Sequence, residues 1–220
     1  MTSRIRFDRS YLLGYNSLQL LGWSYILYTY AAESFATGKW LKYSSHVEFL
    51  LRLFQTLGLL EIFHALIRLV PSSALTTAIQ LFSRVFVVWG ILYLLPSVKS
   101  NSIAVPFFLI SWCLAEIIRY LFYALTICHT APRLITWLRY SAFMVLYPTG
   151  ISGELILMWN AIQSLQSQSR YSLPMPNPLN MSFDYKLLIA AIMISYIPLA
   201  PVMYFHMVSQ RSKVLKKKAQ

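Results

Sequence analysis

Residues 143–160 read FMVLYPTGISGELILMWN, a run apolar enough to cross a bilayer that still carries Tyr147, Pro148, Gly150, Gly153 and Glu154. A helix surrounded by lipid has no use for a carboxylate unless another group receives it, because a charge at that depth costs about 2.5 to 3.5 kcal/mol on insertion scales. The stretch therefore poses two questions at once: whether the chain as a whole is built for lipid, and what Glu154 is for.

The composition answers the first. Of 220 residues, 57% are hydrophobic and only 12% charged, which is too apolar for a soluble domain of this length and fits a polytopic membrane protein. A spanning helix needs about 20 mostly apolar residues, and six segments qualify: 11–31, 46–70, 75–95, 103–126, 134–160 and 186–208. Turn-forming stretches separate them: ESFATGKW, VPSS, PSVKSNS and CHTAPR after the first four, and SQSRYSLPMPNPLNMSFD before the last. The predicted fold is all-α, a single bundle of six transmembrane helices over residues 11–208, flanked by basic termini at 1–10 and 209–220. The last of these loops, rich in Pro, Ser and Asn, is expected to be irregular and at the surface. No internal repeat is present, which removes the best sequence sign of an inverted-repeat transporter.

The net charge of +12 does not indicate a nucleic-acid surface. Arg4, Arg6, Arg9, Arg211, Lys213, Lys216, Lys217 and Lys218 lie in the two termini, the distribution of a membrane flank. With an even number of spans both ends share one side, and the positive-inside rule makes that side the cytosol. The ten residues ahead of the first span hold no apolar run, so that span is expected to direct insertion itself. Lys217 and Lys218, fourth and third from the end of the sequence, fit a dilysine retrieval signal of endoplasmic reticulum membrane proteins, with a plain basic flank as the alternative. Two cysteines, Cys113 and Cys128, support neither a disulfide framework nor a Cys-rich zinc site.

Sorted by depth, most intramembrane polar residues fall in the cytosolic half: Tyr11, Tyr15, Asn16 and Gln19; Glu61, His64 and Arg68; Gln80 and Arg84; Glu116, Arg119 and Tyr120; Arg139 and Tyr140. One layer supplied by five spans predicts a polar chamber open to the cytosol. The same residues also suit a structural role, with Glu61 paired to Arg68 or Arg84, Glu116 paired to Arg119 or Arg139, and His64 a structural donor. Glu48 and Arg52 fit an i,i+4 pair near the opposite surface. Tyr147 and Glu154 lie deepest. Seven residues put them on one helix face about 10.5 Å apart along the axis, and Glu154 has no basic residue within a turn of its own helix. Its partner must come from another helix or from a substrate. Pro148 removes a backbone donor and the two glycines admit close neighbours, so a phenol and a carboxyl stand ready as acid and base.

Rival chemistries are missing from the sequence. His46, His64, His129 and His206 are too scattered for the histidine clusters of diiron desaturases or the elongase box, and no His is followed four residues later by Asp, as in acyltransferases. Neither Gly-x-Gly-x-x-Gly nor Tyr-x-x-x-Lys occurs, which disfavours a nicotinamide-dependent ketoreductase.

The blocks YLLGYNSLQLLGW, LEIFHALIRLV, IQLFSRVFVVWGILY, SWCLAEIIRYLFYA, WLRYSAFMVLYPTGISGE and MPNPLNMSFDY, in that order along nearly the whole chain, resemble the membrane-bound very-long-chain (3R)-3-hydroxyacyl-CoA dehydratases, also called the protein tyrosine phosphatase-like family, and within it the plant Pasticcino-type branch. The sequence departs from that pattern at Pro71, in a loop. The resemblance implies six helices in the endoplasmic reticulum membrane, a long-chain acyl-CoA substrate, membrane lipid and the other elongation-cycle enzymes as partners, no nucleic acid, and no cofactor or metal. It implies Tyr147 and Glu154 as the catalytic pair that removes water to leave a trans-2-enoyl-CoA, and Arg84, Glu116, Arg119, Tyr120, Arg139, Tyr140 and Gly150 as substrate-binding or supporting residues. The family's second name raises an alternative, a catalytically silent phosphatase-like scaffold or partner-binding membrane protein. Phosphatase catalysis needs His-Cys followed by Arg after five residues, whereas here the order is Cys128-His129 and Arg133 follows too soon.

Overall fold

The computed structural model describes residues 2–99, 102–166 and 183–217. Most of the loop expected between the last two spans, and Lys218 of the basic tail, lie outside these residues. Among the described residues the chain is helical with no strand: α1 Thr2–Thr37, α2 Ser45–Leu57, α3 Leu60–Leu66, α4 Ala74–Val85, α5 Ala104–Ile127, α6 Arg133–Ser141, α7 Phe143–Gln166 and α8 Tyr185–Lys217. A π-helix, Phe86–Tyr93, continues α4 directly, and a short 3₁₀ turn, Pro96–Lys99, follows it.

Local chemistry explains several boundaries. Ser44 and Ser73 cap α2 and α4, their hydroxyls accepting from the N–H groups of Val47 and Thr76, which satisfies one orphan donor in each first turn. The second predicted span is divided into two helices, since α2 stops at Leu57 and α3 restarts at Leu60 across Gly58. The fifth is likewise two helices, α6 and α7, joined through Ala142. In the third the π-helix widens the turn, and the Gly90 carbonyl accepts from the Tyr185 hydroxyl at 2.6 Å. That bond ties the start of α8 to the third span.

Five stretches are long and apolar enough to cross a membrane: Ser45–Leu66, Ala74–Tyr93, Ala104–Ile127, Arg133–Leu165 and Tyr185–Val214. They match the last five predicted spans, and this is the architecture of a multi-pass membrane protein. The first predicted span lies within α1, which is long enough but is diluted by Asn16, Gln19 and the tyrosines at 11, 15, 25, 28 and 30, so it is not among the five. The centre of the bundle is α5, packed against α1 on one side and α7 on the other, with α8 against α6 and α7. Ile91, Phe108, Leu109, Cys113, Leu157, Met158 and Ile189 are fully buried there. Large apolar residues such as Leu21, Phe63, Phe82, Ile197 and Phe205 point outward, an arrangement that suits lipid as the surrounding solvent.

Candidate active site at the α5, α7 and α8 contact

Glu154 is received by two other helices. Its Oε1 accepts from the Trp112 indole N–H of α5 at 2.9 Å, and its Oε2 accepts from the Tyr196 hydroxyl of α8 at 2.5 Å. The carboxylate is 5% exposed, and no ion pair reaches it among the described residues. Indole can only donate, so Oε1 is held as an acceptor. The Trp112 ring also carries Arg84, whose guanidinium carbon lies 4.6 Å from its centre. Neither Trp112 nor Tyr196 was singled out in the sequence.

Gly153 sets the distance between α5 and α7. A methyl group placed on it would sit 2.5 Å from the Phe108 backbone nitrogen and 3.0 Å from its Cα, so only glycine allows the two backbones to approach this closely, as small residues do at interfaces between membrane helices. Trp112 is one turn beyond Phe108, and this contact places its indole beside Glu154. Gly150, carried over as the supporting glycine, is buried but less constrained: a methyl there would meet Ser111 and Trp112 at 3.6 Å or more, ordinary contact. Pro148 leaves the Met144 carbonyl without its usual donor, yet α7 is helical through it. Hydroxyls serve the neighbouring carbonyls: Thr149 donates to Val145 at 2.8 Å and Ser152 to Pro148 at 2.8 Å.

Tyr147 is half-buried on the same side of α7 and points at α8. Its hydroxyl donates to the Ala200 carbonyl at a long 3.4 Å, and its ring lies 6.3 Å from that of Tyr204. The contacts Glu154 to Tyr196 and Tyr147 to Ala200 show that α7 and α8 run antiparallel. Pro198 and Pro201 interrupt the donors of α8 at this level, removing those that would serve the Ile194 and Ile197 carbonyls.

The remaining candidates form a second cluster. Arg119 is bidentate to Glu61 at 2.9 and 2.8 Å and also reaches Glu116 at 2.6 Å. Arg84 pairs with the other oxygen of Glu116. Tyr120, 1% exposed, donates to Glu61 at 2.5 Å. The alternatives in the sequence had offered Glu61 to Arg68 or Arg84; the structure gives it to Arg119, while Arg68 is exposed with a φ of 57°. Arg139 reaches the Tyr123 hydroxyl at 3.3 Å and its own neighbour Tyr140, whose ring stands against Phe122. None of these contacts of Arg139 and Tyr140 is with Glu154 or Tyr147. His64 bonds the Tyr11 hydroxyl at 2.9 Å and stacks edge-on with Tyr15, a structural post. Arg52 lies over the Tyr93 ring, 4.8 Å from its centre.

A family model described as protein tyrosine phosphatase-like protein, PTPLA, matches residues 55–217. The chain is 42% identical over 206 residues to human very-long-chain (3R)-3-hydroxyacyl-CoA dehydratase 2, covering 94% of this chain and 81% of that one. It is 44% identical over 211 residues to the Caenorhabditis elegans dehydratase hpo-8, covering 94% and 95%. It is 40% identical over 210 residues to the Arabidopsis thaliana dehydratase PASTICCINO 2, covering 95% and 94%. No solved structure matches it.

Proposed function

The chain belongs to the protein tyrosine phosphatase-like family, and from that premise we propose that it is a very-long-chain (3R)-3-hydroxyacyl-CoA dehydratase, a lyase of fatty acid elongation that converts (3R)-3-hydroxyacyl-CoA to trans-2-enoyl-CoA. The observation that carries the proposal to particular atoms is the buried Glu154, held by two neutral donors and facing the same α7–α8 interface as Tyr147.

Dehydration needs a base for the C2 proton and an acid for the hydroxyl on C3. Glu154 takes the proton from C2. The electron pair of the broken C2–H bond becomes the second bond between C2 and C3, the C3–O bond breaks, and the oxygen leaves as water carrying the Tyr147 proton. Proton return from Glu154 to the Tyr147 phenolate restores both groups. Trp112 and Tyr196 fix the carboxylate so that its geometry is set before substrate arrives, which is where such sites gain their rate. The weak 3.4 Å bond of Tyr147 to a backbone carbonyl is one that a substrate hydroxyl can replace.

In this reading α1 is the sixth span, both termini face the cytosol, and the membrane is that of the endoplasmic reticulum, where the other elongation enzymes are partners. The CoA phosphates stay at the cytosolic mouth near Arg133, Arg139 and Arg211; the Arg211 guanidinium donates to Ser141 at 3.1 Å and holds α6 and α8 together at that end. The deciding experiment is incubation of the purified protein with 3-hydroxyacyl-CoAs of graded length. Enoyl-CoA formed by the wild type and not by Glu154→Gln supports the assignment, and formation of product by neither overturns it. Tags at both ends that resist protease in sealed microsomes would overturn the topology.

A further inference from the structure

Beside the proposed pair, α7 and α8 part to leave a crevice of about 370 Å³. Ile151, Leu155 and Ile162 form one wall, and Ala190, Met193 and Tyr196 contribute to the other. Its lining is apolar except at Tyr196 and Trp159, and it is open sideways, where Trp159 and Ile194 are 53% and 64% exposed. Tyr196 belongs to both places: its ring lines the crevice and its hydroxyl is the 2.5 Å donor to Glu154. The crevice is thus separated from the reacting carboxylate by a single side chain, Tyr196, and has no charge of its own to satisfy.

We propose that this crevice is the berth of the substrate's acyl chain, loaded from the side that faces lipid, with Tyr196 joining it to the reacting end and Ala190 marking its far end. The proposal rests on the dehydratase reading and adds where, and by which residues, the chain is held. Its dimensions follow from the helices. From Glu154 to Ile162 is eight residues along α7, and from Tyr196 to Ala190 six along α8, so the far end lies about 9 to 12 Å beyond the carboxylate at about 1.5 Å per residue. An extended alkyl chain advances about 1.25 Å per carbon, given bonds of about 1.5 Å at near-tetrahedral angles, so about seven to ten carbons beyond C3 fill the crevice. Longer chains continue past Ala190 into the bilayer. An open-ended berth places no upper limit on chain length, as an enzyme of very long chains requires. Burial of each methylene contributes up to about 0.8 kcal/mol where the chain leaves water, but far less where it only exchanges lipid for protein; the crevice therefore aligns the chain more than it strengthens binding.

Ala190→Trp tests the berth by plugging its far end. The ratio of kcat/KM for an 18-carbon to an 8-carbon (3R)-3-hydroxyacyl-CoA is expected to fall at least tenfold, because only the longer chain must pass residue 190. A ratio within twofold of wild type overturns the proposal. Should the bulky variant fail to fold, Ala190→Cys in a Cys128→Ser, Glu154→Gln background reads occupancy without turnover; the remaining Cys113 is buried. In phosphatidylcholine nanodiscs the 18-carbon substrate is expected to slow labelling by a lipid-soluble maleimide at least fivefold, and the 8-carbon substrate or free CoA is not. Equal labelling with all three means that bilayer lipid alone occupies the crevice, and overturns the proposal. Failure of the dehydratase reading looks different, since the wild type would then form no enoyl-CoA from a substrate of any length.

Discussion

Two clusters of polar side chains lie against α5, and they treat charge in opposite ways. In one, Arg84, Arg119, Glu61 and Glu116 cancel each other, with the Tyr120 hydroxyl added to Glu61. In the other, Glu154 has only the neutral donors Trp112 and Tyr196. A carboxylate saturated by guanidinium groups is a poor proton acceptor and a good fastener; one held by neutral donors keeps lone pairs for chemistry. The family resemblance groups Arg84, Glu116, Arg119 and Tyr120 with Tyr147 and Glu154; the geometry sets the first four apart with Glu61 as a brace, and on the proposed reading leaves Glu154 in the reactive site. Arg84 touches both, paired with Glu116 and stacked on the Trp112 that donates to Glu154.

The division breaks first, and most heavily, at the brace. Arg119→Ala leaves Glu61 and Glu116 without their shared cation, and removing one partner of a buried pair costs about 3 to 5 kcal/mol. The expected result is a large loss of folded protein and of Tm in detergent, while turnover per folded molecule stays within about threefold of wild type. If Tm is unchanged and turnover collapses, Arg119 belongs to the reactive site.

Next come Glu154→Gln and Tyr147→Phe, each expected to lower kcat by about 100-fold or more, the scale of one positioned acid or base, with Tm within a few degrees of wild type. Enoyl-CoA formation followed by mass spectrometry decides this, and near-normal rates in both variants would reduce the YPTGISGE stretch to helix packing. Gly153→Ala should cost about 1 to 3 kcal/mol of stability, the usual penalty for overpacking, because its methyl would meet the backbone of Phe108. Gly150→Ala is its control and should stay within about 0.5 kcal/mol; both are read as Tm. The smallest expected effect on rate is Tyr196→Phe, which removes one charge-assisted hydrogen bond worth about 1.5 to 3 kcal/mol, only part of which falls on the transition state. We expect a drop in kcat of about tenfold with little change in KM.

The sequence made one axis of this arrangement legible and left the other hidden. Helical period placed Tyr147 and Glu154 on one face, and hydropathy located the last five spans, because both depend on local spacing. It also showed that Glu154 needed a partner from elsewhere. Which helix supplies it depends on how helices pack, and nothing local to Trp112 or Tyr196 distinguishes them from the other aromatic residues of the chain. The same blindness left Glu61 open to Arg68 or Arg84 when its partner is Arg119 on α5. A weaker signal was available at Gly153: small residues in apolar helices mark close approaches, but YPTGISGE offers two glycines, and only the neighbouring backbone tells them apart.

The contact between Gly153 and Phe108 also bears on how the protein meets bilayers of different thickness. Helices answer a mismatch of a few ångströms by tilting, at a cost of fractions of a kcal/mol per ångström, and the backbone approach at Gly153 is a point about which α5 and α7 can pivot with little displacement at that level. Since Glu154 is adjacent to that pivot, changes in lipid length should move the helix ends and leave the carboxylate and its indole donor together, so that turnover depends weakly on the thickness of the surrounding membrane.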